Sequence, residues 1–276
     1  MNENNKKNKY NPRDMVISVI ANRGLIWQLA KSEIIGRYRG SIFGILWSFV
    51  IPLLMILVYT FVFSYIFQAR WGGETSGKTD FAIFLFSGLI IHSLFAECVI
   101  KAPSLISGNI NYVKRVVFPL EILACVSLLS SLFHFALSTL VLILFYLIVH
   151  LNLHWTIIYL PLILFPLVLL TIGVSWALAS LGTYIRDVGQ SVGILTTIML
   201  FLSPIFYPAS VLPKELRPYL FLNPLTFIIE QFRDILILGN FPAWTRLGLY
   251  TLISMIIAMA GFYWFQKTRK GFADVL

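Results

Sequence analysis

Charged residues are scarce in this chain: Asp, Glu, Lys and Arg make up 12% of it, whereas hydrophobic residues make up 58%. A soluble domain carries roughly twice that charged fraction. Several apolar runs reach the ~20 residues needed to cross a bilayer core of about 30 Å. These features exclude an ordinary soluble domain and indicate an all-α polytopic membrane protein.

Cysteine is almost absent as well. The two residues, Cys98 and Cys125, lie in or beside apolar runs, which excludes a disulfide framework and a cysteine metal site. We interpret both as small buried apolar residues. The first 24 residues also lack the apolar core of a signal peptide, so the first span is expected to direct insertion itself.

The apolar runs predict six spans, with a polar tail at 1–24 and a single transmembrane domain at 25–276. Pro52 is expected to kink the first span. The predicted spans are 42–67, 81–100, 118–149, 157–184, 188–206 and 247–265.

Three further segments depart from the spanning pattern. Residues 25–38 predict an amphipathic helix that lies in the membrane interface. Two pieces between the last two spans, Leu216 to Leu222 and Leu225 to Leu238, are too short or too charged to cross. They predict re-entrant half-helices, which are tolerated where protein or water surrounds them.

The distribution of Lys and Arg predicts the orientation. With the N-terminus inside, fifteen of the 21 basic residues fall on inner segments, so both termini are expected to be cytoplasmic. The net charge of +9 then reflects topology and anionic membrane lipids rather than a nucleic-acid partner.

One motif matches a phosphate-binding loop: residues 72–79 read GGETSGKT. That chemistry needs a preceding β-strand and a following helix N-terminus. Here a membrane span precedes the motif, and the charge distribution puts it outside, so we interpret it as a polar turn.

Four titratable residues lie within predicted spans: His92, Glu97, Glu121 and His134. Charges there are costly and are candidates for function. Glu97 and Glu121 are near the inner ends of their spans, close to basic residues, so a structural ion pair is the simpler interpretation. The four residues form no recognisable metal or acid–base set, and this counts against a membrane-embedded enzyme.

Two charged groups remain as candidate sites. Glu230, Arg233 and Asp234 have spacing that allows a Glu230–Arg233 pair on one helix face, either as a local salt bridge or as part of an outer gate. Arg37 and Arg39 precede the first span at headgroup depth. They could bind a lipid diphosphate through their planar donors, set the topology, or, for Arg37, pair with Glu33.

Four motifs, in order and correctly spaced, resemble the membrane permeases of ABC transporters that export lipid-linked polysaccharides, such as O-antigen and teichoic acid. The resemblance covers about residues 23–266. The motifs are RYRGSIFGILWSFVIPLLMILVYTFVFS, YIRDVGQ, SPIFYP and NPLTFIIEQFRDIL.

This resemblance implies a homodimer in the inner or cytoplasmic membrane, joined to two copies of a separate ATPase subunit that binds ATP and Mg²⁺. The chain itself would bind no cofactor and export a polyprenyl-diphosphate-linked glycan. The resemblance also implies a coupling helix in the loop after the second span. We assign coupling to Asn109, Tyr112, Lys114 and Arg115.

Two alternatives stay open at this point. A membrane transferase could act on the same lipid carrier, although the sequence lacks an evident acidic or metal-binding cluster. A related permease could instead export a drug or a lipid, and composition does not distinguish these cargoes from a lipid-linked glycan.

Overall fold

The computed structural model describes residues 12–67, 71, 79–114, 118–213, 215 and 217–276. Their regular secondary structure is entirely helical, and no β-strand occurs within these ranges, as the sequence predicted. The α-helices are α1 (Pro12–Ala21), α2 (Arg23–Arg37), α3 (Trp47–Tyr59), α4 (Asp80–Lys101), α5 (Ile110–Val113), α6 (Ile122–His150), α7 (Leu160–Tyr184), α8 (Val188–Phe201), α9 (Arg217–Leu220), α10 (Pro224–Arg233), α11 (Trp244–Thr268) and α12 (Phe272–Val275).

Five helical segments are long and apolar enough to cross a membrane, and they match five of the six predicted spans. They are Gly44–Phe63, Asp80–Ser104, Ile122–His150, Trp155–Tyr184 and Trp244–Val275. The first is α3, which runs through Pro52, with a short helical turn before it and a π-helical segment after it. The chain is therefore a multi-pass helical membrane protein.

The predicted span at 188–206 is shorter than expected. Its helix, α8, ends at Phe201 after 14 residues, which is about 21 Å at 1.5 Å per residue. The chain then turns at Leu202 to Phe206, where Pro204 disfavours a helical conformation for the residue before it. A sixth crossing thus remains a prediction.

The centre of the bundle is α4. About 72% of the most apolar part of that span is buried, against 22–39% in the other four. Around it, α7 packs closely along α11. A Cβ on Gly261 would lie 2.1 Å from the backbone oxygen of Gly173, so small residues let these two helices approach, as is common in membranes.

The N-terminal region contains one expected helix and one unexpected helix. The helix predicted at 25–38 is present as α2, with Ile26 and Ala30 buried and Trp27 exposed. Its position in the membrane interface stays a prediction. The tail predicted at 1–24 also contains α1. Met15 and Val19, one helical turn apart, pack against the bundle, which explains why this part of a polar segment is helical.

Both segments predicted as half-helices contain a helix: the single turn α9 in the first, and α10 with a π-helical turn over Asp234–Leu238 in the second. Their re-entrant placement stays a prediction. Asn223 caps α10, because its side chain accepts a hydrogen bond from the backbone N–H of Leu225 at 3.0 Å. One face of α10 is fully buried in the bundle through Ile228, Ile229 and Phe232. The turn ends at Gly239, whose φ of +70° favours glycine.

Candidate functional site

An ion cluster joins α2 to the end of α4 through Glu33, Arg37, Glu97 and Lys101. Arg37 pairs with Glu97 at 2.5 Å, and Lys101 pairs with both Glu97 and Glu33 at 3.1 Å. The Glu33–Arg37 pair that their spacing allows does not form, because each residue pairs with an opposite charge on α4. The ion pair predicted for Glu97 near the inner end of its span is therefore present.

Tyr38 links the same cluster to α6. Its hydroxyl lies 3.4 Å from Nδ1 of His134, and the two rings meet edge to face. Burial raises the pKa of Tyr38, which keeps the phenol neutral. The end of the interface helix is thus held against both α4 and α6.

The two arginines proposed for a lipid headgroup differ in their contacts. The guanidinium of Arg37 is half exposed and keeps donors beyond the one bonded to Glu97. Arg39 is exposed, and within the described part of the chain its side chain forms no ion pair. An anion approaching this end of the bundle would therefore meet Arg39 without displacing a carboxylate.

The loop assigned to coupling folds into three short helical pieces: Ala102–Ser104, Ser107–Asn109 and α5. Asn109 donates to the backbone oxygen of Leu105 at 2.8 Å, and Tyr112 stacks on Phe118 with ring centroids 4.3 Å apart. Lys114 is exposed, whereas Arg115 lies outside the described residues. Two of the assigned side chains thus shape the loop, and Lys114 remains available at its surface.

This loop is in close contact with the bundle. A Cβ on Gly182 of α7 would lie 2.4 Å from the Cα of Pro103. Between the loop and α2 is a groove of about 440 Å³ that includes Ser32, Leu105 and Asn109. A displacement of the loop would therefore also displace residues of α7 and α2.

Glu121 forms an ion pair with a residue that is distant from it in the sequence. Its carboxylate accepts from Arg269 at 2.7 Å and from the Ser18 hydroxyl at 2.8 Å. Of the described basic residues of the loop, neither Lys101 nor Lys114 pairs with it. Arg269 also donates to the backbone oxygen of Phe118 at 2.7 Å. These contacts join both terminal regions to the end of the coupling loop, and only the folded chain brings them together.

The other intramembrane candidates have structural contacts. His92 lies with Nε2 at 3.0 Å from the backbone oxygen of Thr196, which ties α4 to α8. Among the described residues no group of three or more His, Cys, Asp or Glu side chains could hold a metal ion. The phosphate-loop match falls at residues 72–78, outside the described residues, and at Thr79, which immediately precedes α4.

Arg233 occupies a site different from the one predicted. No ion pair within 4 Å joins it to Glu230, although both residues are described. Its guanidinium donates to the backbone oxygens of Phe84 at 2.8 Å and Pro204 at 2.6 Å, and to the Ser87 hydroxyl at 3.2 Å. It also lies 4.5 Å from the centre of the Trp71 ring, an arrangement typical of a cation–π contact.

The electrostatics of this Arg233 site follow from its burial. Burial lowers the pKa of Arg233 to about 9, which leaves the guanidinium charged at neutral pH. Burial also raises the pKa of Glu230, and the nearby Arg233 charge opposes that shift. Asp234 accepts from Gln231 at 2.9 Å. The three residues are thus close together, but backbone carbonyls bind the arginine.

The long apolar helices define a multi-pass membrane protein. An ion cluster and a folded loop lie at one end of these helices. Residues 24–237 match the family model of the ABC-2 type transporter membrane proteins. The match covers well over half of the chain, and the chain belongs to this family. It is a transport permease rather than an enzyme.

Several curated proteins are similar along almost their whole length. An O-antigen export system permease, RfbA of Myxococcus xanthus, is 26% identical over 254 residues, 91% of this chain and 95% of that protein. RfbA of Klebsiella pneumoniae is 26% identical over 271 residues, 95% of this chain and 100% of that protein. The polysialic acid transport protein KpsM of Escherichia coli is 25% identical over 240 residues, with 82% and 86% covered.

Proposed function

We propose that this chain is the membrane subunit of an ATP-driven exporter that moves a polysaccharide, linked to polyprenyl diphosphate, across the inner or cytoplasmic membrane. The observation that carries the proposal is the near full-length similarity to permeases named for O-antigen export. The similarity to a polysialic acid transport protein supports a glycan as the cargo.

In this proposal two copies of the chain form a homodimer, and each binds one copy of a separate ATPase subunit that holds ATP and Mg²⁺. The surface for the ATPase is the loop that contains Asn109, Tyr112 and the exposed Lys114. Its contact with Gly182 gives a direct path from ATPase movement to α7. Both termini and this loop are cytoplasmic.

The sixth crossing is completed by α8 and the turn that follows it. The 14 residues of α8 fall short of the bilayer core by about 9 Å at 1.5 Å per residue. Residues 202–206 supply that distance, and Asn223 supports the turn by donating to the Ser203 hydroxyl at 2.8 Å. In this arrangement α9 and α10 are re-entrant and return to the outer side.

The lipid diphosphate binds at Arg39, with Arg37 as a second donor. Arginine suits this role because its planar guanidinium binds phosphate oxygens through two parallel hydrogen bonds and stays charged near a membrane. Arg39 is exposed, and Arg37 presents its unbonded donors from the same end of α2. The neighbouring spans provide an apolar surface for the lipid.

The outer gate is formed by α10 and its π-helical turn. Arg233 holds this segment against α4 and the turn after α8 through the oxygens of Phe84 and Pro204. Opening the exit would require these hydrogen bonds to break or to move as a unit with α10. Glu230 and Asp234 line the outer side of the same site.

The proposed function is tested by deleting the gene in its native host and restoring it on a plasmid. We expect the deletion to remove the glycan from the cell surface and to accumulate the lipid-linked glycan inside. Restoration should require both this chain and its ATPase. Unchanged surface glycan, together with a loss of drug efflux or of lipid export, would contradict the proposal in favour of another cargo.

A further inference from the structure

A partly open cavity, with Ile51 and Met55 exposed at its wall, lies between three membrane-spanning helices and extends away from the ion cluster. It has a volume of about 270 Å³. Its lining includes Ile51, Met55 and Tyr59 of α3, Phe86 and Ser93 of α4, and Phe135 of α6.

The length of the cavity along α4 suits a single hydrocarbon chain. Along α4 its lining extends from Phe86 to Glu97, eleven steps that span about 16 Å at 1.5 Å per residue. This is roughly half the thickness of a bilayer core. A hydrocarbon chain lying along α4 would therefore reach from the end of the bundle to about the middle of the membrane.

The cavity changes from apolar to charged along its length. Its far end is bounded by Tyr59 and Phe86, whereas its near end is bounded by Glu97 and His134. Glu97 is the residue that binds Arg37, and His134 is the residue that faces the Tyr38 hydroxyl. The ion cluster thus sits directly at one end of an apolar cavity.

The charge at this end favours an anionic headgroup. Arg37, Arg39 and Lys101 carry three positive charges, and Glu33 and Glu97 carry two negative ones. The balance is one net positive charge, and the exposed Arg39 is the residue without a carboxylate partner among the described ion pairs. A neutral or cationic amphiphile would gain nothing from that excess.

We infer that this cavity binds the isoprenoid chain of the lipid carrier while its phosphate is held at Arg39 and Arg37. The inference rests on the proposed function, and it adds a site for the apolar part of the cargo. Binding in the cavity would bury apolar chain against Tyr59, Phe86 and Phe135, and burial of apolar surface is favourable. The carrier would then be oriented before the glycan enters the transport path.

The test uses the full-length chain in phosphatidylcholine nanodiscs and a farnesyl phosphate that carries a diazirine near its apolar end. After illumination, mass spectrometry identifies the labelled peptides. We expect label on cavity-lining segments of α3, α4 and α6, and we expect unlabelled farnesyl phosphate to compete with it.

Two variants fill the cavity from different walls: Ser138→Phe on α6 and Ser93→Phe on α4. Both serines line the cavity. Ala136→Phe is the matched control, because it adds a similar side chain to an exposed position on α6. We expect each filling variant to lower labelling about tenfold, because the added ring occupies space in which the isoprenoid chain would contact the cavity wall. The control should label like the wild type.

Four results would overturn the inference. Equal competition by phosphatidylglycerol would assign the cavity to bulk membrane lipid. Efficient disulfide cross-linking between two copies of a Ser138→Cys variant would assign it to the interface of a homodimer. Label outside the three helices, or label that both filling variants leave unchanged, would show that the isoprenoid chain binds outside this cavity.

Export is measured in parallel so that the two proposals fail separately. Glycan export by the wild type without label in the cavity would refute the cavity assignment and leave the proposed function standing. Specific cavity labelling without any glycan export would refute the proposed function and retain a binding site for isoprenyl phosphates.

Discussion

The ion cluster and the Arg233 site place arginine in opposite environments. In the cluster, Arg37 is paired with a carboxylate, and its side chain is 50% exposed. Arg233 is buried, and its hydrogen-bond acceptors are backbone oxygens and a hydroxyl rather than a carboxylate. The first arrangement can exchange partners at low cost, whereas the second cannot lose its arginine without leaving buried groups unsatisfied.

This difference suggests that the ion cluster and the Arg233 site have different roles. Exposed ion pairs contribute about 0–1 kcal/mol each, so the cluster can rearrange when a ligand or a subunit moves nearby. A buried charge that loses its partners costs several times more. We therefore expect the cluster to affect substrate response and coupling, and the Arg233 site to affect stability and the closed state of the exit.

The largest effect is expected for Arg233→Ala. It leaves the buried oxygen of Pro204 without its donor and removes the guanidinium from Phe84 and Ser87, at a cost of about 3 kcal/mol. Thermal unfolding in detergent, followed by fluorescence, should show a clear loss of stability together with poor export. Arg246→Ala, at an exposed position near the same end of the bundle, is the control. A wild-type unfolding profile for Arg233→Ala would contradict the structural account of this site.

A smaller effect is expected for Glu97→Gln, which removes the charge shared by Arg37 and Lys101. The loss of stability should be about 1 kcal/mol because both pairs are partly exposed. The ATPase activity of the assembled complex should become less dependent on substrate. Glu215→Gln, an exposed change, should behave like the wild type. An effect on stability as large as that of Arg233→Ala would abolish the contrast between the two regions.

Arg39→Lys should leave stability unchanged and alter only the response to substrate. Lysine keeps the charge and the topology signal but loses the planar pair of donors. We expect the substrate concentration for half-maximal ATPase stimulation to rise about tenfold, the size of one strong charge-assisted hydrogen bond. Arg23→Lys, at the exposed start of α2, is the matched control. Wild-type stimulation by Arg39→Lys, Arg37→Lys and the double variant would leave these arginines only a topological role.

The smallest effect is expected for Glu230→Gln. A salt bridge with Arg233 would make this change costly, but the structure gives Arg233 other partners. We expect a change in unfolding free energy below about 0.5 kcal/mol and nearly normal export. A loss comparable to that of Arg233→Ala would restore the predicted pair as the basis of the outer site.

Local sequence patterns predicted most elements because they depend on nearby residues. Long apolar runs predicted five spans, the amphipathic pattern predicted α2, and the capping Asn223 with Pro224 is consistent with the observed start of α10. The early end of α8 also has a local sequence signal, because Pro204 disfavours a helical conformation at the preceding residue. The continuous apolar run nevertheless favours a longer helix.

Partners that are distant in the sequence could not be predicted. Lys101 and Glu33 are 68 positions apart, and Arg233 and Phe84 are 149 apart, so spacing along one helix favoured the local pairs Glu33–Arg37 and Glu230–Arg233. The cavity is formed by three helices at once. His134 is unusual within a span, but its contact with Tyr38 depends on how α2 packs against α6.

The central claim is ATP-driven movement of a lipid-linked glycan by this chain together with a separate ATPase. It is tested most directly in inside-out membrane vesicles loaded with the glycan on their outer face and probed with an added glycosidase. We predict that ATP protects the glycan from the enzyme only when both subunits are present. Protection without the ATPase subunit, or ATP hydrolysis by the purified chain that Lys78→Ala abolishes, would contradict the account.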